Sequence, residues 1–166
     1  MPVEKLRAQL QLAFQGPLPG KEAQLLMAPQ PIDPRRIAAK VPEDHRKSGV
    51  LLLFYPDDST IYFPLIKRPQ YPGAHSGQVA FPGGMRDPED ASLYETALRE
   101  AHEEVGLSQN LVRRVGKLSE VVSKHNVLVT PFVGVVPEDI ADSRYSQKAR
   151  LLSTMWDVAS AKLTAW

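Results

Sequence analysis

The sequence predicts an α/β or α+β sandwich, in which helices pack on a mixed β-sheet. Two hydrophobic patterns lead to this fold class. Short apolar runs bounded by turn residues predict several strands, whereas three stretches with apolar residues at helical spacing predict amphipathic helices. The predicted strands fall into two groups separated by a helix, with a further helix at each end of the 166 residues, an order that favours a layered α/β or α+β domain.

The composition is that of one globular domain, residues 1–166. Hydrophobic residues make up 43% and charged residues 23% of the chain, ordinary values for a soluble protein with its own core. The net charge of +1 favours neither nucleic acid nor an anionic membrane as a partner. The absence of cysteine excludes disulfides, thiolate metal ligands and a cysteine nucleophile. Because the sequence shows no secretory signal and no apolar run of membrane-spanning length, we expect a cytoplasmic protein.

Residues 1–47 are expected to form one helix and a proline-rich lead-in. Apolar residues recur at helical spacing over residues 3–15: Val3, Leu6, Leu10 and Phe14. Two prolines and a glycine within residues 17–20 end this helix. Residues 22–42 contain several more prolines, so we expect them to be irregular.

The middle of the chain predicts the strands of the sheet. The apolar run at residues 48–55 predicts a buried strand, which a turn at residues 56–59 joins to a partner strand at residues 61–67. Pro64 in the second strand favours an edge position or a bulge. A loop is predicted at residues 68–77, and further strands are predicted at residues 78–81, 115–123 and 127–136.

Between the two groups of strands, the sequence predicts a helix over residues 92–105. Asp90 or Ser92 is a candidate N-cap, since short polar side chains accept hydrogen bonds from the first helical amides. Gly106 stands where a helix commonly ends with a left-handed residue. The helix therefore has defined signals at both ends.

Three glutamates in this helix are the most informative residues of the chain. Glu100, Glu103 and Glu104 fall within about 100° of arc on one stripe of the helix. Like charges at this spacing destabilise a helix, but Mg²⁺ binds carboxylate oxygens, commonly together with substrate phosphates. Two interpretations follow: a metal site for a phosphorylated substrate, or a solvated acidic face with Arg99 as its partner.

Residues 99–107 resemble the second half of the Nudix box, the signature of hydrolases that cleave nucleoside diphosphates linked to another group. Every fixed position of Arg-Glu-apolar-x-Glu-Glu-x-Gly-apolar is matched. In the first half, fourteen residues separate Gly84 from Arg99, where the family pattern has thirteen, and the intermediate acid is Asp90. This longer spacing, with the motif Gly-Gln-Val-Ala-Phe-Pro-Gly-Gly at residues 77–84, resembles the coenzyme A diphosphatase branch of the family.

The resemblance implies the Nudix fold, a mixed sheet between helices, with the box at residues 84–107. It implies that Glu100, Glu103 and Glu104 bind Mg²⁺ or Mn²⁺ and that one of them is the general base; which one stays open. It also implies that Arg99 orients a box glutamate through a charged hydrogen bond.

The glycines and the acid of the first half each allow two interpretations. Gly83 and Gly84 form either a generic turn or a surface where backbone amides and the metal approach a diphosphate. Asp90 is either an outer metal ligand or only the helix N-cap.

Basic residues before the box are candidates for substrate binding. Arg68 and His75, with Lys67, would hold a phosphate, such as the 3′-phosphate of coenzyme A, or are simply exposed loop residues. The chain has Gly73 where the branch expects an arginine. His125, between two predicted strands, is either a base near the substrate or a surface residue.

The function implied by the resemblance is metal-dependent hydrolysis of a small nucleotide. Water, activated by a box glutamate, would attack one phosphorus of the diphosphate. Coenzyme A would give adenosine 3′,5′-bisphosphate and 4′-phosphopantetheine. Alternative substrates are ADP-ribose, nucleotide sugars, dinucleoside polyphosphates and oxidised nucleoside triphosphates. A non-catalytic nucleotide-binding module on the same fold is the alternative from another class.

The C-terminal residues 149–166 are expected to form a second amphipathic helix. Its apolar residues are Leu152, Met155, Trp156, Ala159, Leu163 and Trp166. They would pack on the core of the same chain or across a homodimer. The stretch from Val136 to Ala149 is shorter than in the branch that the box resembles.

Overall fold

The computed structural model describes residues 2–26, 28, 31, 41, 43–57, 60–70, 72, 76–123, 125–137 and 157–162. The helices are α1 (Val3–Ala13), α2 (Gly20–Leu26) and α3 (Leu93–Val105), followed by a 3-10 turn at Gln109–Leu111. The strands are β1 (Arg46–Asp57), β2 (Thr60–Lys67), β3 (Val79–Ala80), β4 (Gly83–Met85), β5 (Arg113–Lys117), β6 (Val121–Val122), β7 (Val127–Val135) and β8 (Asp157–Lys162). None of these helices has the length and apolar character that a membrane span requires.

The strands form a mixed sheet with β1 at its centre. β1 runs parallel to β7 over residues 46–54, and the other pairings are antiparallel. The strand order is β3-β2-β1-β7-β5, with β4 beside β1, β6 beside β7 and β8 beside β2. The predicted mixed sheet is therefore confirmed.

Helices cover both faces of the sheet. Leu51 and Leu53 of β1 point to one face and are fully buried in a cluster with Ala97 and Ala101 of α3. Phe54 points to the opposite face, since side chains alternate along a strand, and packs in a second cluster with residues of α1. The predicted sandwich is confirmed, and so is the helix expected over residues 3–15, which ends at Ala13.

The hairpin of β1 and β2 is also confirmed. Tyr55 pairs with Tyr62, and Asp57 pairs with Thr60. Pro64 lies between the residues of β2 that pair with β1 and those that pair with β3, while β8 lines the other side of β2. Its missing amide therefore falls where β2 passes from one neighbour to the next.

Two local predictions were wrong. Residues 22–26, expected to be irregular, belong to α2, and the Gln24 side-chain amide donates to the carbonyls of Ser119 and Glu120. This contact spans about half the chain, so no local pattern predicted it. The strand expected over residues 115–123 is divided into β5 and β6, separated by residues 118–120.

The helix predicted at residues 149–166 is also wrong where the structure describes it. Residues 157–162 form β8, which pairs antiparallel with residues 62–67 of β2. The backbone amides and carbonyls on that side of β2 would otherwise lack strand partners, so the pairing outweighs the helical pattern. The rest of the predicted helix lies outside the described residues, and so do the side chains that we considered for packing across a homodimer.

Candidate functional site

Glu100, Glu103 and Glu104, here called the acidic stripe, lie on α3. This helix begins and ends at the residues that the sequence predicted. The Ser92 hydroxyl accepts a hydrogen bond from the Glu95 amide at 3.2 Å, so Ser92 rather than Asp90 is the N-cap. Gly106 ends the helix in the left-handed region with φ 67°. Both caps satisfy polar groups at the helix termini, and they place α3 without help from the acidic stripe.

Two glycines opposite each other allow α3 to lie close to the sheet. Gly84 of β4 pairs with Gly49 of β1. A Cβ atom at Gly49 would overlap with the backbone carbonyl of Leu93, and one at Gly84 would overlap with the carboxyl group of Glu100. The absence of a side chain at Gly84 therefore makes room for Glu100, a packing role that neither sequence interpretation of Gly84 had foreseen.

Glu104 is held against β4, the strand that begins with Gly83 and Gly84. Its Oε2 accepts a hydrogen bond from the Gly83 amide at 2.9 Å, and the side chain is half-buried. Burial raises the pKa of Glu104 to about 7, and the negative charges of Glu100 and Glu103 act in the same direction. The Gly83 amide and the positive charge of Arg68 oppose this rise only in part.

Glu100 and Glu103 share one nitrogen of Arg99. Nη1 of Arg99 lies 3.0 Å from Oε1 of Glu100 and 3.3 Å from Oε1 of Glu103. The Glu100 side chain is 18% exposed, whereas that of Glu103 is 56% exposed. Glu100 is thus the enclosed member of the pair, and Glu103 faces solvent.

Arg99 is fixed by a buried carboxylate outside the acidic stripe. Its Nε and Nη2 each donate to one oxygen of Asp90 at 3.1 Å, and Nη2 also donates to the Met85 carbonyl at 3.2 Å. The Arg99 hydrogen bonds hold the pKa of Asp90 well below its ordinary value, and Asp90 in turn raises the pKa of Arg99. The expected contact of Arg99 with a box glutamate is confirmed, but nothing in the residue pattern indicated the larger network.

The acidic stripe fits a hard divalent cation by its chemistry, though not as a finished ligand cage. Within the described ranges, no group of three or more His, Asp or Glu side chains is close enough to hold a metal ion as it stands. Arg99 donates to one oxygen of Glu100 and to Glu103, and the Gly83 amide donates to one oxygen of Glu104. Even so, the mutual repulsion that helps to raise the pKa of Glu104 is the type that a divalent cation relieves.

Of the other described candidate residues, only Arg68 is shown to interact with the acidic stripe. Arg68, after β2, is near enough to Glu104 for its charge to lower the pKa of that carboxyl. His75 and Gly73 lie outside the described residues, and Lys67 is exposed at the end of β2. His125 is exposed in the turn between β6 and β7, where its carbonyl accepts from Arg46.

A comparison with protein families matches residues 45–152 to the model described as the NUDIX domain. A protein named uncharacterized Nudix hydrolase NudL from Yersinia enterocolitica is 50% identical over 76 residues, which cover 46% of this chain and 39% of that protein. Its namesake from Yersinia pestis is 39% identical over 117 residues, which cover 69% of this chain and 57% of that protein. The chain thus spans about half the length of these relatives.

Among solved structures, the fold is similar to that of RenU, a Nudix hydrolase from M. smegmatis. The TM-score is 0.50 and the sequence identity 19%, and the match covers 70% of each chain. At this identity the likeness concerns the fold alone, and it agrees with the mixed sheet and three helices described above.

Proposed function

The chain belongs to the Nudix family of hydrolases, and we propose that it cleaves the diphosphate bond of a nucleoside diphosphate derivative with the help of Mg²⁺ or Mn²⁺. We assign the cation to Glu100, Glu103 and Glu104. The observation that carries this proposal is the contact of two of these carboxylates with β4. Glu104 accepts from the Gly83 amide, and Glu100 fills the space that Gly84 leaves open.

The residues of the chain would share the work as follows. A bound divalent cation supplies Lewis-acid chemistry, which neutralises charge on the phosphate oxygens. Gly84 leaves room for the Glu100 carboxylate and the Gly83 amide holds that of Glu104, so β4 would keep two of the proposed ligands in place. Arg68 would bind a phosphate oxygen, since it is near enough to the acidic stripe for its positive charge to act on the pKa of Glu104. One box glutamate would accept the proton of the attacking water, and Arg99 would keep Glu100 in place.

The substrate that we propose is coenzyme A or one of its derivatives. Its support is the motif at residues 77–84, which resembles the coenzyme A diphosphatase branch, and the place of Arg68 near the acidic cluster. The products would be 4′-phosphopantetheine and adenosine 3′,5′-bisphosphate. Gly73, at the position of the expected arginine, is the feature that favours a different nucleotide instead.

The test is product chromatography on a small panel with Mg²⁺ or Mn²⁺. The panel contains coenzyme A, acetyl-coenzyme A, ADP-ribose, NADH, a diadenosine polyphosphate and dGTP. Release of 4′-phosphopantetheine from coenzyme A is the expected result. Cleavage of another member alone would overturn the substrate and keep the chemistry. If the folded protein cleaves none of them but binds one, it is a nucleotide-binding module.

A matched pair of variants tests the site. Glu104→Gln preserves the shape of the side chain and should lower kcat/KM at least about 100-fold. Glu89→Gln makes the same chemical change at an exposed position in the turn before α3 and should leave the rate unchanged. Equal rates for the two variants would contradict the assignment of Glu104.

A further inference from the structure

We propose that Lys47 and Arg86 form a second anion site, which binds a phosphate monoester that the substrate carries in addition to its diphosphate. The inference rests on the function proposed above, which places the diphosphate at the acidic stripe. Its consequence is that the preferred substrate is a nucleotide with a further phosphate group on its ribose.

Lys47 and Arg86 lie opposite each other on the face of the sheet that α3 covers. The Arg86 amide donates to the Lys47 carbonyl at 2.9 Å, which extends the pairing of β1 with β4 by one residue. Side chains alternate along a strand, so Lys47 shares a face with Gly49, and Arg86 shares a face with Gly84. A Cβ atom at either glycine would meet α3. The two basic side chains therefore start about 5 Å apart on the α3 side of the sheet.

The two positive charges repel each other, and no described carboxylate neutralises them. Like charges directly opposite each other destabilise a sheet. Both residues are exposed, and neither forms an ion pair within the part of the chain that the structure describes. Nη2 of Arg86 donates to the Asp90 carbonyl at 3.1 Å, which holds the guanidinium without removing its charge. A phosphate monoester, with a charge of about −1.5 to −2 at pH 7, would relieve the repulsion.

The distance from the acidic stripe indicates which phosphate this pair can bind. Glu100 lies over Gly84, and Arg86 follows two residues later, about 7 Å along the strand. Two phosphates on one ribose are separated by a comparable distance, whereas the two phosphorus atoms of a diphosphate are much closer together. Arg68 acts on Glu104, which contacts the other end of β4, so the two basic sites lie at opposite ends of the stripe.

The test compares adenosine 3′,5′-bisphosphate with AMP in calorimetric titrations with Mg²⁺ present. Neither ligand contains a diphosphate bond, so their binding is measured without turnover. The wild type should bind the bisphosphate at least about 10-fold more tightly than AMP, because charge-assisted hydrogen bonds to the second phosphate are lost in AMP. In the double variant of Lys47→Gln and Arg86→Gln, this ratio of Kd values should fall below about 3. Equal Kd values in the wild type, or an unchanged ratio in the double variant, would overturn the proposal.

Arg46→Gln is the matched control. Arg46 precedes Lys47 in β1 but points to the opposite face, and its Nη2 donates to the His125 carbonyl at 3.3 Å. The control removes one positive charge from the same strand, so its ratio should stay within about 2-fold of the wild type. An equal loss in Arg46→Gln would mean that only net charge matters and would also overturn the proposal. If the double variant does not fold, Lys47→Gln alone should lower the ratio at least about 3-fold.

Hydrolysis distinguishes the second anion site from the function on which it rests. Coenzyme A carries a 3′-phosphate that dephospho-coenzyme A lacks, so the wild type should cleave coenzyme A with about 10-fold higher kcat/KM, and the double variant should lose this preference. Equal cleavage of both would overturn the second anion site and keep the hydrolase. Tight binding of the bisphosphate through Lys47 and Arg86, without cleavage of any nucleotide in the panel, would support the site and overturn the proposed hydrolysis. Binding of neither AMP nor the bisphosphate at millimolar concentration would overturn the site.

Discussion

Glu104 should reduce the stability of the metal-free protein, and Glu104→Gln should remove that penalty. The carboxyl is half-buried beside Glu100 and Glu103, and burial raises its pKa from 4.5 to about 7. Glutamine keeps the length of the side chain and an oxygen that can accept from the Gly83 amide. The substitution therefore removes the charge and little else.

The magnitude follows from the pKa difference between the folded and the unfolded chain. At about 1.4 kcal/mol per pKa unit, a rise from 4.5 to about 7 corresponds to at most about 3.5 kcal/mol, which solvent screening of this half-buried carboxyl lowers to about 3 kcal/mol. The folded state binds the Glu104 proton more tightly, so stability falls as the pH rises through this window. The penalty is absent below about pH 4.5 and complete above about pH 7. For a chain of this length, about 3 kcal/mol shifts Tm by about 6–12 °C.

The assay is urea unfolding in EDTA at pH 5 and at pH 8.5. Glu104→Gln should exceed the wild type by about 3 kcal/mol at pH 8.5 and by less than about 1 kcal/mol at pH 5. Glu89→Gln, at an exposed position, should stay within about 0.5 kcal/mol of the wild type at both pH values. The reasoning would be refuted if Glu104→Gln did not raise the free energy of unfolding at pH 8.5, or raised it by the same amount at pH 5. With saturating Mn²⁺ the difference in unfolding free energy between the two proteins should shrink or reverse, because only the wild type keeps all three proposed ligands.

Two further substitutions test the contacts that place the stripe. In Gly84→Ala the new methyl group overlaps with the Glu100 carboxyl, so hydrolysis of the substrate identified by the panel should fall at least about 10-fold, with about 1–3 kcal/mol of stability lost. Gly16→Ala, whose Cβ would lie 3.7 Å from its nearest neighbour, should leave the rate unchanged, and a similar rate in both variants would contradict the packing argument. Ser92→Ala removes the N-cap and should lower the free energy of unfolding by about 1 kcal/mol in urea. Its Kd for Mn²⁺ should not change, and a 10-fold loss would mean that the cap also sets the metal site.

Elements with signals in their own residues were predicted well. The box helix begins after Ser92 and ends at Gly106, because a hydroxyl N-cap and a left-handed glycine act within one turn of the helix. The hairpin of β1 and β2 likewise follows from two apolar runs and the turn between them. In these cases the sequence contains both partners of the deciding contact within a few residues.

β8 shows the opposite case. Apolar residues recur at helical spacing in the C-terminal region, yet residues 157–162 pair with β2, about 95 positions earlier in the chain. A helical pattern is a weak preference, and hydrogen bonds along a whole strand outweigh it. α2 follows the same logic, since the contact of Gln24 with residues 119 and 120 is as distant in sequence. Periodicity alone cannot predict contacts of this kind.

The site combines both cases. The pattern of residues 99–107 predicted which side chains gather on the stripe, but not which oxygen each nitrogen would take. Those bonds exist only after β4 has paired with β1, because this pairing brings Gly84 and the Met85 carbonyl under α3. Gly49 lies well before the box in sequence, yet its bare backbone lets Leu93 approach and so sets the height of Glu100 above Gly84. The proposed site is therefore the box helix together with the two glycines that face each other beneath it.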